Sequence, residues 1–213
     1  MFDDTKLSEP DLILEIEDPI RLKVISDEDN IFFNNKKTEE KRVRLYIYDL
    51  LRNAQKHLPP NYNFVIYEAF RPLAVQIKMW KKLKDRLSKE NPDINPDSKQ
   101  MTDLCNVYVA NPYQQGSGHQ SGAAVDISLI DDTGIEYDMG CSISTYDDRT
   151  AMDSDKISID AKNNRKILAQ ALEKVGLINY PPEWWHYSFG DRLWARITGS
   201  KIAIFGNIKE DCL

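Results

Sequence analysis

Histidine, cysteine and glycine are all scarce in this chain. Its 213 residues include three histidines, three cysteines and nine glycines. The cysteines, Cys105, Cys141 and Cys212, lie far apart, which excludes a disulfide framework and a closely spaced thiolate site for zinc. We therefore expect reduced thiols, and any metal site must rely on the few histidines and on carboxylates.

Long apolar runs and an excess of basic residues are absent as well. No stretch approaches the ~18 consecutive apolar residues of a membrane span. The acidic N-terminus, MFDDTKLSEPDLILEIEDP, has neither the basic nor the apolar region of a signal peptide. The net charge of −6 disfavours a nucleic-acid surface. These observations predict a cytoplasmic protein without a membrane or nucleic-acid partner.

Hydrophobic periodicity predicts the α+β class. Helical spacing is found in a segment beginning at Thr38, in 73–87, in 98–108, and in a helix with Asp160 as its N-cap and Gly176 as its end. Strand-like runs are NFVIYEA (63–69), AAVDISLI (123–130), EWWHYSF (183–189) and KIAIF (201–205). We predict a small, mainly antiparallel sheet flanked by helices, in one domain spanning 1–213, with 1–37 as an N-terminal extension packed on it.

The segment 131–160 separates the middle strand from the last long helix. It contains nine acidic and two basic residues and shows little periodicity. A segment of this kind is usually a functional loop or a disordered one, and acidic runs commonly face water. We expect part of it to lie near the functional site.

His119 lies in the stretch SGHQSGAAVDIS, where glycines flank it on both sides. Glycine allows positive φ and close backbone approach, so this loop can aim the imidazole at another group. Alternation along the following strand places Asp126 on a face shared with the small residues Ala124 and Ser128. A buried carboxylate must be paired, so Asp126 either meets a lysine or arginine or coordinates a metal.

The stretch PPEWWHYSF adds Glu183 and His186, three residues apart. Two histidines and one carboxylate are the ligand set of a catalytic zinc with one open position, and Glu183 could then act as the general base. Arg71, between a strand and a helix, could stabilise an oxyanion or be an ordinary surface cation. The third histidine, His57, ends a helix and needs only a structural explanation.

These residues resemble the zinc D-alanyl-D-alanine dipeptidases of the vancomycin-resistance type, within the zinc D-Ala-D-Ala peptidases. The resemblance rests on Ser117, His119, Gly122, Ala124 and Asp126 as S-x-H-x-x-G-x-A-x-D, on Glu183, Trp185 and His186 as E-x-W-H, and on Phe70-Arg71-Pro72. It covers about Thr38 to Gly206. It implies one zinc per chain on His119, Asp126 and His186, with Glu183 as the catalytic base and Arg71 as the oxyanion stabiliser.

The resemblance also implies a small peptide substrate, D-Ala-D-Ala, with Ser117 near the bound dipeptide. One departure concerns the aspartate that helps hold the substrate's ammonium in this family. Its position, after Met139-Gly140, is occupied here by Ser144, and Asp147 or Asp148 is close enough in sequence to replace it. We expect Asp147 to contribute to substrate binding.

Three other functions fit parts of the pattern. A zinc carboxypeptidase or endopeptidase acting on longer peptidoglycan peptides would use the same metal in a more open cleft. A non-haem iron oxygenase also uses two histidines and a carboxylate, but it leaves Glu183 without a role. A binding module that kept its metal and lost catalysis would not require both Glu183 and Arg71.

Overall fold

The computed structural model describes residues 42–208 apart from Gln115, Ser144 and Tyr146, together with the backbone of three short strands nearer the N-terminus. The strands are β1 (Leu14–Glu15), β2 (Leu22–Val24), β3 (Phe32–Phe33), β4 (Arg42–Arg44), β5 (Asn63–Glu68), β6 (Ala124–Ile130), β7 (Ile178–Tyr180), β8 (Glu183–Ser188) and β9 (Ile202–Ala203). The helices are α1 (Leu45–Gln55), α2 (Leu73–Glu90), α3 (Lys99–Asn106), α4 (Ile159–Glu173) and α5 (Arg192–Thr198).

A five-stranded sheet in the order β3-β5-β6-β8-β7 organises the chain. Only β3 is parallel to its neighbour, and all other pairs in this sheet are antiparallel. Two short pairs lie outside it: β1 with β9 and β2 with β4. The predicted α+β class with a small, mainly antiparallel sheet is confirmed, whereas the extent of a single domain over 1–213 stays a prediction.

Two hydrophobic clusters hold the helices in place. In the larger one, Ile47 and Leu51 of α1 and Leu168 of α4 join the apolar face of β6, which carries Ile127 and Leu129. The smaller cluster packs α2 on α3. Every residue of β6 is buried, so both faces of this central strand are covered, including the one that carries Asp126.

Two element boundaries differ from the sequence prediction. The helix expected from Thr38 begins only at Leu45, because the preceding backbone pairs with other segments: Arg44 N–H donates to the carbonyl of Gly122, and the carbonyl of Arg42 accepts from Phe70 N–H. Residues 38–41 lie outside the described residues. Such long-range pairing overrides the local helical pattern.

The start of α4 is the second correction. Its N-cap is Ser158, whose Oγ accepts from Ala161 N–H at 3.0 Å, and not Asp160, which lies in the first helical turn.

The segment between β6 and α4 forms no helix or strand among its described residues, yet Met139 and Ile143 within it are buried in the larger cluster. This segment is therefore packed on the domain and is more than a solvated loop. Within the described part of the chain, no helix is both long and apolar enough to span a membrane.

The capping assignment can be tested by stability. We expect Ser158→Ala to lower the free energy of unfolding by about 1 kcal/mol, because it leaves an N–H of the first turn without a partner. Asp160→Ala should cost less, roughly 0.3–1 kcal/mol, since Asp160 acts only through the helix dipole. Urea titration of both variants measures the difference, and a larger loss for Asp160→Ala would contradict the assignment.

Candidate metal centre

Three separate elements bring His119, Asp126 and His186 together. His119 belongs to a 3-10 helix, Gly118–Ser121, just before β6, which carries Asp126. His186 lies on β8 directly opposite Asp126, and directly paired residues project on the same face of a sheet. One ligand atom from each side chain lies within 4.8 Å of the other two, and all three residues are buried.

The loop that carries His119 depends on close backbone contacts. Gly122 ends the 3-10 helix in the left-handed region, at φ +68°, which favours glycine. Position 118 needs glycine for a different reason, which is the lack of room for a side chain: a Cβ there would lie 2.2 Å from Oδ2 of Asp191. Ser117 caps the helix, its Oγ accepting from the N–H of His119 at 3.2 Å. The described contact of Ser117 is thus local, and its predicted place beside a substrate stays a prediction.

Both imidazoles face the same carboxylate oxygen. Oδ1 of Asp126 lies 3.2 Å from Nε2 of His119 and 3.0 Å from Nδ1 of His186. Nδ1 of His119 lies 2.8 Å from the carbonyl oxygen of Ala69. Because a carbonyl can only accept, this nitrogen carries a proton, and Nε2 is the atom available to a metal. Two imidazole nitrogens and one carboxylate oxygen therefore converge, a donor set that fits zinc.

The charges in this cluster stabilise one another. Burial raises the pKa of Asp126, but the two histidines outweigh it and hold that pKa well below its usual range. For His186, burial lowers the pKa, and the hydrogen bond and charge of Asp126 raise it to above the ordinary value. The neighbouring histidines therefore favour the ionised form of Asp126, which is the form that could bind a metal.

Glu183 lies at the start of β8, at the edge of the same cluster. The pairing of β7 with β8 shifts register between Asn179 and Tyr180, so the backbone is irregular opposite Glu183. Residues three apart on a regular strand point to opposite faces, so an irregular backbone is needed for Glu183 and His186 to face the same site. Burial raises the pKa of Glu183, while the charges of His186 and Arg71 act in the opposite direction. A carboxylate with a raised pKa is suited to accept a proton near neutral pH.

Arg71 is fixed by three side-chain hydrogen bonds. Its Nε and Nη2 donate to the two carboxylate oxygens of Glu68 at 2.5 and 2.6 Å, and its Nη1 donates to Oε1 of Gln76 at 2.6 Å. Its backbone N–H also donates to the carbonyl of His119 at 3.0 Å. A guanidinium has five N–H groups, so this clamp orients Arg71 while using three of them. Glu68 itself lies directly across from Asp126.

Asp191 is a buried residue of this region that the sequence patterns did not indicate. Its Oδ1 accepts from Ser188 Oγ at 2.9 Å and from the N–H of Trp194 at 2.7 Å, which caps α5. Its Oδ2, against Gly118, has no hydrogen-bond partner among the described residues. Burial raises the pKa of Asp191. An aspartate just before a helix is a common N-cap, so the sequence could have suggested the capping role of Asp191. Its contact with Gly118 joins distant parts of the chain and has no signal in the local sequence.

A cavity of about 510 Å³ extends from the same side of the sheet. Ser128, one pleat beyond Asp126, and Trp184, next to Glu183, form its floor, and 136–143 form its wall. Glu136 and Asp138 bring carboxylates to this wall. The part of 131–160 that lines the cavity is thus 136–143, and the expectation that this segment lies near the functional site stays a prediction.

Asp147, the predicted substrate-binding residue, is not among the residues that line this cavity. Its carboxylate accepts from Nε and Nη2 of Arg149, and this hydrogen bonding lowers the pKa of Asp147 to about 2. Ser144, at the position of the family's aspartate, lies outside the described residues. The role of Asp147 stays a prediction, and Glu136 and Asp138 are the acidic groups that the structure places at the cavity.

Two histidines and a carboxylate that could hold a metal, with the half-buried Glu183 and the clamped Arg71 beside them, are typical of the class of metallohydrolases. A model of the D-Ala-D-Ala dipeptidase family, Peptidase_M15, matches residues 34–202. The chain is therefore a member of this peptidase family, and the resemblance seen in its motifs is confirmed.

Three curated relatives are each named D-alanyl-D-alanine dipeptidase. The protein of Synechocystis sp. is 28% identical over 76% of this chain and 75% of its own length. That of Enterococcus faecium is 31% identical over 67% of this chain and 69% of its own length. That of Escherichia coli is 27% identical over 58% of this chain, a match that spans about half of its own length, 53%.

Solved structures similar to this chain are more distant in sequence. VanYB in complex with D-Alanine-D-Alanine is 17% identical, with a TM-score of 0.48, over 88% of this chain and 92% of its own. The LdcB LD-carboxypeptidase is also 17% identical, with a TM-score of 0.48, over 88% of this chain and 76% of its own.

The ligand assignment predicts which histidines bind metal. We expect His119→Ala and His186→Ala to lose most of the bound metal, because each removes one of three protein ligands. His57, which is exposed, provides the matched control, and His57→Ala should retain it. Elemental analysis of protein purified without chelator measures the content, and full metal in His119→Ala or His186→Ala would refute the assignment.

Proposed function

We propose that this protein is a zinc dipeptidase that binds one zinc ion per chain and hydrolyses D-Ala-D-Ala. The observation that carries the proposal is the convergence of His119, Asp126 and His186 beside Glu183 and Arg71. Family membership and the names of the curated relatives support the same substrate. A cytoplasmic location, which would give access to the free dipeptide, is part of the proposal.

The residues present fit a catalytic zinc in their chemistry. Three protein ligands of this type leave one coordination position open, as catalytic sites do. The hydrogen bond from Nδ1 of His119 to Ala69 fixes the ring, an outer contact that zinc-binding histidines commonly make. Zinc, when bound, supplies Lewis acidity to a carbonyl oxygen and to water.

Glu183 would take the proton from the attacking water and pass it to the leaving amine. Its raised pKa makes the carboxylate a stronger base than an exposed glutamate, and burial limits competition from bulk water. The Arg71 guanidinium would stabilise the oxyanion that forms on the scissile carbonyl. Because Glu68 and Gln76 hold this guanidinium in advance, little reorganisation is needed when the charge develops.

The cavity, which is lined by Ser128 and Trp184 from the strands that carry Asp126 and Glu183, would receive the N-terminal residue of the substrate. Glu136 and Asp138 give its wall an acidic character that favours a free ammonium group. Farther along the same segment, backbone hydrogen bonds tie the chain to β8 and the turn before it: Met152 N–H donates to the carbonyl of Pro181 at 2.8 Å, and Trp184 N–H donates to the carbonyl of Thr150 at 2.9 Å.

The role of Glu183 predicts a separation of metal binding from catalysis. Glu183→Gln preserves size but removes basicity, so we expect zinc to remain bound and kcat to fall by about 100-fold or more. Zinc content and hydrolysis of D-Ala-D-Ala are measured on the same preparation. Near-normal turnover with full zinc would remove Glu183 from the mechanism.

The acidic wall predicts selectivity for a free N-terminus. We expect free D-Ala-D-Ala to be hydrolysed and N-acetyl-D-Ala-D-Ala to be resistant, because acetylation removes the positive charge that the acidic wall would attract. Chromatographic assay of released D-alanine compares the two. Comparable rates would instead favour a zinc carboxypeptidase acting on longer peptidoglycan peptides.

Two carboxylate variants extend this comparison. Glu136→Gln should raise the KM for the free dipeptide several-fold if the cavity wall attracts the ammonium. Asp147→Asn tests the residue expected from the sequence, whose carboxylate is engaged by Arg149. A larger effect of Asp147→Asn would move the ammonium site away from the described cavity.

A further inference from the structure

Arg165 is a fully buried arginine in the middle of α4. A buried guanidinium normally requires a carboxylate partner, because desolvation of a charge is costly. Among the described residues, however, no carboxylate forms an ion pair with Arg165; its partners are carbonyl oxygens and one sulfur atom. The free-energy cost of burying this charge must therefore be offset by the contacts that the guanidinium makes.

The partners of Arg165 all belong to the segment between β6 and α4. Nε donates to the carbonyl of Met139 at 2.9 Å, Nη1 to that of Ala151 at 2.6 Å, and Nη2 to that of Arg149 at 2.7 Å. Nη2 also lies 3.7 Å from Sγ of Cys141. One planar group thus joins the start and the end of the segment 139–151, and lysine could not reproduce this, since its single nitrogen lacks the fork geometry.

The other side of the guanidinium faces the catalytic strand. Its Cζ lies 5.4 Å from the ring centroid of Trp184, which follows Glu183 on β8 and lines the cavity. Met139 and Cys141 line the cavity from the opposite side. Arg165 therefore lies behind the cavity, in contact with both its floor and its wall, and does not line the cavity itself.

We propose that Arg165 is a positioning residue that anchors the chain at Met139, Arg149 and Ala151 and thereby fixes 139–143, the part that lines the substrate cavity. It does so by binding three backbone carbonyls, so the side chains of this segment can vary while the wall keeps its shape. The inference rests on the proposed function for the identity of the substrate, but the anchoring itself does not depend on catalysis.

Trypsin digestion tests the anchor directly, because the exposed Arg149 lies within the segment and its carbonyl is one of the three acceptors. We expect Arg165→Lys and Arg165→Met to accelerate cleavage after Arg149 about tenfold or more, the scale expected when buried hydrogen bonds are lost. Cleavage after Lys89, at the end of α2, should be unchanged, because α2 lies outside the segment that Arg165 binds.

Kinetics test the consequence for substrate. In Arg165→Lys we expect the KM for D-Ala-D-Ala to rise about tenfold while kcat stays within threefold, because the metal ligands, Glu183 and Arg71 are untouched.

Ala171→Gly is the matched control, since it weakens the same helix without reaching the segment. Its KM and its cleavage after Arg149 should stay at the wild-type values. Arg165 variants that behave like this control would overturn the proposal, and so would faster cleavage with an unchanged KM.

A second measurement does not require the Arg165 variants to fold. In zinc-loaded Glu183→Gln, saturating D-Ala-D-Ala should slow cleavage after Arg149 and leave cleavage after Lys89 unchanged. Absence of protection would overturn the assignment of the segment as the cavity wall. If the wild type hydrolyses no dipeptide, the proposed function fails, and cleavage after Arg149 in the Arg165 variants still decides whether the anchor exists.

Discussion

The central constraint in this structure is a carboxylate buried in the middle of a sheet. Asp126 lies on β6, a strand covered on both faces, and its Oδ1 meets one nitrogen from each of two histidines. An isolated charge here would be prohibitively costly, so His119 and His186 must be held nearby. The glycine-rich loop before β6 and the direct pairing of β6 with β8 satisfy that requirement. In the proposed function, the same three side chains would hold the zinc ion.

Two arginines near this cluster are held by different kinds of partner. Glu68, opposite Asp126 on β5, orients Arg71, and Gln76 of α2 holds the same guanidinium from the other side. A second arginine, Arg165, uses backbone carbonyls to fasten an irregular segment over the sheet. The two arginines differ in their partners: Arg71 is held by the side chains of Glu68 and Gln76, whereas Arg165 binds backbone carbonyls.

The site was more predictable from sequence than its surroundings were. Strand alternation and glycine spacing identify His119 and Asp126, because those signals are local, and the E-x-W-H motif adds Glu183 and His186. Arg165 was missed since a charged residue on an otherwise apolar helix face gives no indication of which carbonyls it will bind. The helix expected from Thr38 failed for a related reason, because strand pairing of 42–44 is decided by distant segments. Ser158 replaced Asp160 as the N-cap because both are good capping residues and only the backbone angles distinguish them.

The proposed zinc chemistry depends most directly on the identity of the atoms that bind the metal. X-ray absorption at the zinc edge, on protein loaded with one equivalent of zinc, reads those atoms without assuming any substrate. We predict nitrogen and oxygen ligands at about 2.0–2.1 Å with the multiple-scattering pattern of two imidazoles and no sulfur. A sulfur shell at about 2.3 Å, or the signal of a single imidazole, would contradict the assignment of His119, Asp126 and His186 as the metal centre.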